Sequence, residues 1–367
     1  MTDNTNIIAK LLQPVVLPNG VSLPTPLAMA PMEIISSKPD GTASQTDMDY
    51  FAYRSDVAGL LISGAASVNL VGRINRYQLG IHDDKFIPNL QKLVQAAQQD
   101  GNRFIIQLQH SGRLAQEGFE QTGELLAPSK PAAGRTGDQA RAMTEEDIAQ
   151  TIRDFAEATR RAIEAGASGV EIQGANHYLL HQFFSKLSNQ REDKWGGSLF
   201  NRMAFALAVT KAVKNVIAEL APPDFILGYR ISPEEIHGNH IGFTFDECLE
   251  LINQIAEIGV DYIHLSLEEY GGKDPFSQQV KERLVSRSKL MVAAAFTAEQ
   301  AAQALQHADF IALGRATLIE PNFYKKIKSG EMVKIVTSYI EDYAKLPADL
   351  INWFKQANSP LPPLPRL

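Results

Sequence analysis

The chain has 367 residues, 44% of them hydrophobic and 21% charged, the balance of a globular protein with a large core. Its net charge of −7 argues against a nucleic-acid surface, so a phosphate-bearing ligand must be met by local cations or backbone N–H groups. The single cysteine, Cys248, excludes an internal disulfide and a Cys-ligated iron–sulfur cluster.

The opening MTDNTNIIAKLL is too polar for a signal peptide, and no apolar run approaches the ~20 residues of a membrane span. A cytoplasmic protein without a membrane partner is expected. PVVL and VSL flank Pro18-Asn19-Gly20, which predicts an N-terminal β-hairpin, because Asn-Gly supplies the positive φ angles of a tight turn.

Eight short apolar runs follow, at 27–32, 59–68, 104–110, 169–175, 225–232, 261–268, 290–296 and 310–316. They lack polar alternation, as strands buried on both faces of a parallel sheet do. Helical segments separate them. Thr144 to Asp147 reads as a capping box, Thr297 opens another helix, and Gly101 and Gly166 stand where helices end. Cys248 falls in an amphipathic helix and reads as a buried structural residue.

Eight strand–helix units predict a single α/β domain over 1–367, a closed (β/α)8 TIM barrel, with an extended Pro-rich tail at 359–367. An open doubly wound sheet would require a Gly-rich turn after the first strand, and Pro31-Met32-Glu33 is not one. The long connections after Gln107 and Tyr178 leave the C-terminal strand ends, where barrel active sites lie.

The stretch VEIQGANHYLLHQFFSKLSNQREDKWGGSLFNR (170–202) resembles the signature of the Old Yellow Enzyme family. The likeness extends from LAMAPM through IQLQHSGR to LGRA near the end. It implies non-covalent FMN, NADH or NADPH as hydride donor, and a small-molecule electron acceptor such as an α,β-unsaturated carbonyl, a quinone or a nitro compound. A homo-oligomer, with Arg366 of the tail reaching a neighbouring active site, is a further implication.

The residues can be matched to those needs. Gln107 offers a donor and an acceptor to a flavin's pyrimidine edge, and Arg230 a cation near N1 and O2. Ala30, Pro31, Met32 and Ala65 match the flavin-facing positions of the first two strands, although ordinary barrel packing explains them nearly as well. Gly314 and Arg315 suit the phosphate end, with backbone groups of Ala294 and Ala295 beside them where the family usually has glycine.

Tyr178 matches the family's proton donor, since a phenol holds its proton at neutral pH. Gln173 and Asn176 occupy the positions of a His–Asn or His–His pair that binds the substrate oxygen. Both can donate, but neither can become cationic.

His177 replaces a usual glycine, and Glu33 a usual Cys or Thr beside the flavin. His110 reads as loop-shaping and Trp195 as a loop anchor. His177 and His181 are four apart, but their sequence neighbours supply no clear further ligand, so no metal is expected. Two rival readings stay open: an FMN-binding barrel with little or no ene-reductase activity, and a flavin-free barrel lyase.

Overall fold

A computed structural model of the chain describes residues 8–134, 136–267, 276–284, 287–293, 297–335 and 343–356. Ala294, Ala295, Arg366 and the Pro-rich tail fall outside these.

The eight apolar runs form eight strands: β1 (Leu27–Met29), β2 (Leu60–Ile62), β3 (Arg103–Gln109), β4 (Gly169–Gly174), β5 (Ile226–Ile231), β6 (Tyr262–Leu265), β7 (Lys289–Ala293) and β8 (Phe310–Leu313). Each pairs in parallel with the next, and β8 closes on β1 through Ile311 opposite Leu27. A helix follows each strand: α1 (Gln45–Tyr53), α2 (Ile87–Ala97), α3 (Glu145–Glu164), α4 (Leu199–Leu220), α5 (Phe245–Ile258), α6 (Ser277–Leu284), α7 (Ala298–Ala304) and α8 (Phe323–Ser329). This is the predicted (β/α)8 barrel.

Alternation along the strands separates two cores. Leu61, Phe104, Ile106, Val170, Ile172, Leu227, Ile263 and Val292 face the helices. Ala28, Leu60, Ile105, Ile226, Tyr262, Met291 and Phe310 pack together inside the barrel. The predicted hairpin pairs Val15–Val16 with Ser22–Leu23, with Gly20 at φ 88°. It closes the barrel floor: Leu17, Val21 and Leu23 join the inner cluster, and the Asn19 amide donates to the Phe225 carbonyl at 3.2 Å.

The capping boxes form at Thr144 with Asp147 and at Thr297 with Gln300. Gly166 follows α3 with φ 78°, as predicted. Gly101 does not end α2. That helix stops at Ala97, whose carbonyl is held by the Asn102 side chain at 2.8 Å, and Gly101 serves the turn beyond it. Several strands are also shorter than their apolar runs: β1 ends at Met29 and β2 at Ile62, where the chain leaves the barrel for the rim. Cys248 is buried in α5, its thiol against the Ser232 carbonyl. Among the described residues no helix is long and apolar enough to cross a membrane.

Candidate active site

Toward the C-terminal ends of the strands the barrel interior becomes polar on one side. A step of two residues moves up one layer on the same face. On β3 this leads from Ile105 to Gln107, on β4 from Gly169 to Glu171 and Gln173, on β5 from Ile226 to Arg230, and on β6 from Tyr262 to His264. The register sets Gln107 opposite Glu171, and Arg230 between Gln173 and His264.

Glu171 is the hub. One carboxylate oxygen accepts from the Gln107 amide at 2.6 Å, and the other from the Tyr262 hydroxyl and His264 Nδ1, each at 2.9 Å. Burial works against ionisation, but the His264 contact, the Arg230 charge and Gln107 outweigh it and hold the carboxyl below its usual range. Burial keeps His264 neutral.

Arg230 donates from Nη2 to Ser266 Oγ at 3.1 Å, and that hydroxyl donates to Asn176 Oδ1 at 2.9 Å. Arg230 Nε is buried and has no partner among the described residues. A guanidinium left short of an acceptor at the barrel mouth fits a carbonyl-rich, charge-accepting ring placed above it.

The opposite half of the mouth carries small or apolar groups: Ile62, Ala293, Ala312 and Ala30, with Met32, Ala65 and Gly314 half-buried at the rim. Pro31 is buried between Ala30 and Met32. Gly64 lets β1 and β2 approach, since a Cβ there would lie 2.9 Å from the Met32 carbonyl oxygen. Arg315 is half-buried at the start of a short helix, Arg315–Ile319, beside Gly314.

Tyr178 begins the helix Leu179–Phe184 at the end of the β4 loop. Burial first, and the Glu33 charge second, push its hydroxyl up to about 12. It is therefore a neutral phenol at pH 7. Burial also raises Glu33 to about 7, against an Asn75 hydrogen bond that lowers it. Glu33 lines a recess with Ser63, Gly64, Ala65 and Tyr77.

The structure does not join Gln173 and Asn176 as one pair. Gln173 is buried, its carbonyl accepting from Ala175 N at 3.0 Å and its amide 3.4 Å from Gln107. Asn176 is exposed on a backbone with φ 57° and is held by Ser232 and Ser266. With its carbonyl occupied, Asn176 keeps its NH2 group for a ligand, and Gln173 keeps the second N–H of an NH2 group whose first donates to Gln107.

His110 shapes its loop as expected, its Nδ1 accepting from Gly112 N at 3.0 Å while burial keeps it neutral. Trp195 anchors the second long connection through Glu145 at 2.7 Å.

Two groups escaped the sequence reading. Glu171 and His264 are polar residues inside otherwise apolar strand runs, a signal that marks them as paired and buried. Glu235 is the other. The expectation that His177 and His181 lack a further ligand does not hold, because the fold brings Glu235 to both. It sits in a hairpin after β5, remote in sequence.

A parallel barrel with a mouth polar on one half and bare on the other suits a flat ligand with one polar edge, such as a flavin. The chain matches the NADH:flavin oxidoreductase / NADH oxidase family over residues 10–333 and belongs to it, with the Old Yellow Enzymes. It is 37% identical over 338 residues to a Bacillus subtilis (strain 168) protein named "Probable NADH-dependent flavin oxidoreductase YqiG", covering 89% of this chain and 90% of the relative. It is 31% identical to an NADPH dehydrogenase of Geobacillus thermodenitrificans (strain NG80-2), covering 82% and 89%. Morphinone reductase superposes with TM-score 0.78 at 26% identity, covering 92% of this chain and 96% of that one. The chain is thus an NAD(P)H-dependent flavin oxidoreductase that uses FMN, and the flavin-free lyase reading falls.

Proposed function

We propose that the enzyme reduces activated alkenes, with α,β-unsaturated carbonyl compounds as the preferred class and nitro compounds or quinones as other acceptors. The observation that carries this reading is Tyr178, a protonated phenol at the mouth, close enough to Glu33 and Arg230 to feel both charges. Bound FMN would supply the hydride-transfer chemistry that links NADH or NADPH to the acceptor.

The chain's own groups supply the rest. Arg230 provides fixed positive charge and an unpaired Nε donor. Gln107 offers its amide to the ring edge, held by Glu171. Gly314 and Arg315 receive the phosphate, with Ala294 and Ala295 contributing backbone groups. Ala30, Pro31, Met32 and Ala65 give the ring a close, featureless wall. The NH2 groups of Gln173 and Asn176 orient the acceptor oxygen, and Tyr178 delivers a proton to carbon opposite the hydride.

NADH and NADPH consumption by the FMN-loaded enzyme, with a cyclic enone, a nitroalkene, a quinone and oxygen in parallel, tests the substrate class. Saturated product from the enone supports it. Turnover confined to oxygen and quinones would leave an electron-transfer flavoprotein without alkene reduction.

A further inference from the structure

We propose that His177, His181 and Glu235 bind a divalent first-row transition ion of the Zn2+ class at the rim of the barrel. His177 Nδ1 lies 3.4 Å from Glu235 Oε1, and His181 Nε2 lies 3.4 Å from Glu235 Oε2. One ligand atom from each residue falls within 4.8 Å of the other two. Metal–ligand bonds of about 2.1 Å in a tetrahedron set ligand atoms roughly 3.4 Å apart, the separation each histidine nitrogen already keeps from its nearer carboxylate oxygen, and a small closure of the set would seat an ion.

Burial supplies an independent reason. His181 is 2% and Glu235 5% exposed. Yet both ring nitrogens of His181 and Oε2 of Glu235 lack an aligned hydrogen-bond partner among the described residues. Buried polar groups are normally satisfied, and His181 Nε2 and Glu235 Oε2, two orphaned atoms facing each other at 3.4 Å, call for a shared partner. A cation between them satisfies the facing nitrogen and oxygen together.

One carboxylate and two imidazoles suit Zn2+ and its neighbours, not Mg2+ or Ca2+.

The fold builds the site from two elements. His177 takes a left-handed backbone, φ 61°, just before the helix that carries His181. Glu235 lies opposite Phe243 in the hairpin Glu235–His237 with His240–Phe243, and the His181 ring packs on Phe243 at 5.0 Å. Only glycine at 242 leaves room for the Glu235 carboxylate. His237 Nε2 stands 3.6 Å from Glu235 Oε1 on the solvent side, where a small side-chain swing would make it a fourth ligand. His177 is half-exposed and opens the site to solution.

Zn2+ titration of the untagged, FMN-loaded, chelator-treated enzyme by calorimetry tests the site, with thermal unfolding as a second readout. One equivalent should bind and raise Tm. Affinity should fall at least tenfold in His177→Ala and in Gly242→Ala, and further in Glu235→Gln, while a distant His307→Ala matches the parent. His177→Ala, at a half-exposed position, keeps the test valid should a buried substitution misfold. No saturable binding, or equal binding in the parent and in His177→Ala and Gly242→Ala, overturns the proposal.

Discussion

The two halves of the barrel mouth use the same backbone for opposite purposes. On β3 to β6 the upper layer is Gln107, Glu171, Gln173, Arg230 and His264. On β7, β8, β1 and β2 it is Ala293, Ala312, Ala30 and Ile62. Below, both halves rest on the same apolar floor. The asymmetry teaches how one fold presents an amphipathic ligand with two faces. The floor supplies rigidity, and the choice of residue two positions higher decides whether the ligand finds partners or bare surface.

The largest way to break this contrast is Tyr178→Phe, which keeps the ring and removes the hydroxyl proposed as the proton source. Flavin reoxidation by an enone should slow by roughly a hundred- to ten-thousandfold, the usual loss of a general acid. Reduction by NAD(P)H, and reoxidation by oxygen, should change far less. Stopped-flow traces of the two half-reactions decide, and equal slowing of both would make Tyr178 structural.

Next, Arg315→Ala removes a charge from the rim of the bare half, where the phosphate is proposed to sit. FMN affinity should fall by about 1.5–3 kcal/mol, roughly ten- to over a hundredfold, as read by titrating apo-variant with FMN. An unchanged dissociation constant would move Arg315 out of the site.

Glu171→Gln acts on the polar half alone. It removes the charge opposite Arg230 and turns one acceptor oxygen into a donor facing groups that already donate. Unfolding free energy should drop by about 1–3 kcal/mol, measured by urea denaturation. No loss would show that the hub is dispensable.

The smallest effect is a slope. Glu33 titrates at about 7 in the fold, above its ordinary 4.5. A carboxyl raised in this way contributes stability below pH 4.5 that is lost as pH rises through 7. Glu33→Gln should flatten the decline of Tm between those limits. A parallel pH profile for both proteins would place Glu33 in a solvated setting.

Much of this contrast can be read from the sequence. The eight strands stand out because parallel strands buried on both faces are unbroken apolar runs; Gln107 and Arg230 stand out as polar residues within such runs, and Tyr178 through the resemblance of 170–202 to the family signature. The limits of the strands do not. The run 310–316 contains only Phe310–Leu313, since a short helix starts at Arg315 and its Thr317 bonds back to the Gly314 carbonyl. Glu171 and His264 satisfy each other across β4 and β6, a pairing that no local window contains. The meeting of Glu235 with His181 depends likewise on how two rim segments fold over one another.

The floor hairpin has a kinetic consequence. Asn19 bonds to Phe225, 206 residues further along the chain. At the usual 5–20 residues/s, a ribosome needs roughly 10 to 40 s to make the second after the first. Throughout that interval Leu17, Val21 and Leu23 have no barrel to plug and remain an uncovered apolar stretch of the nascent chain. The hairpin is thus made long before its seat, and in the interval the nascent enzyme is open to chaperones and to misassociation at these residues.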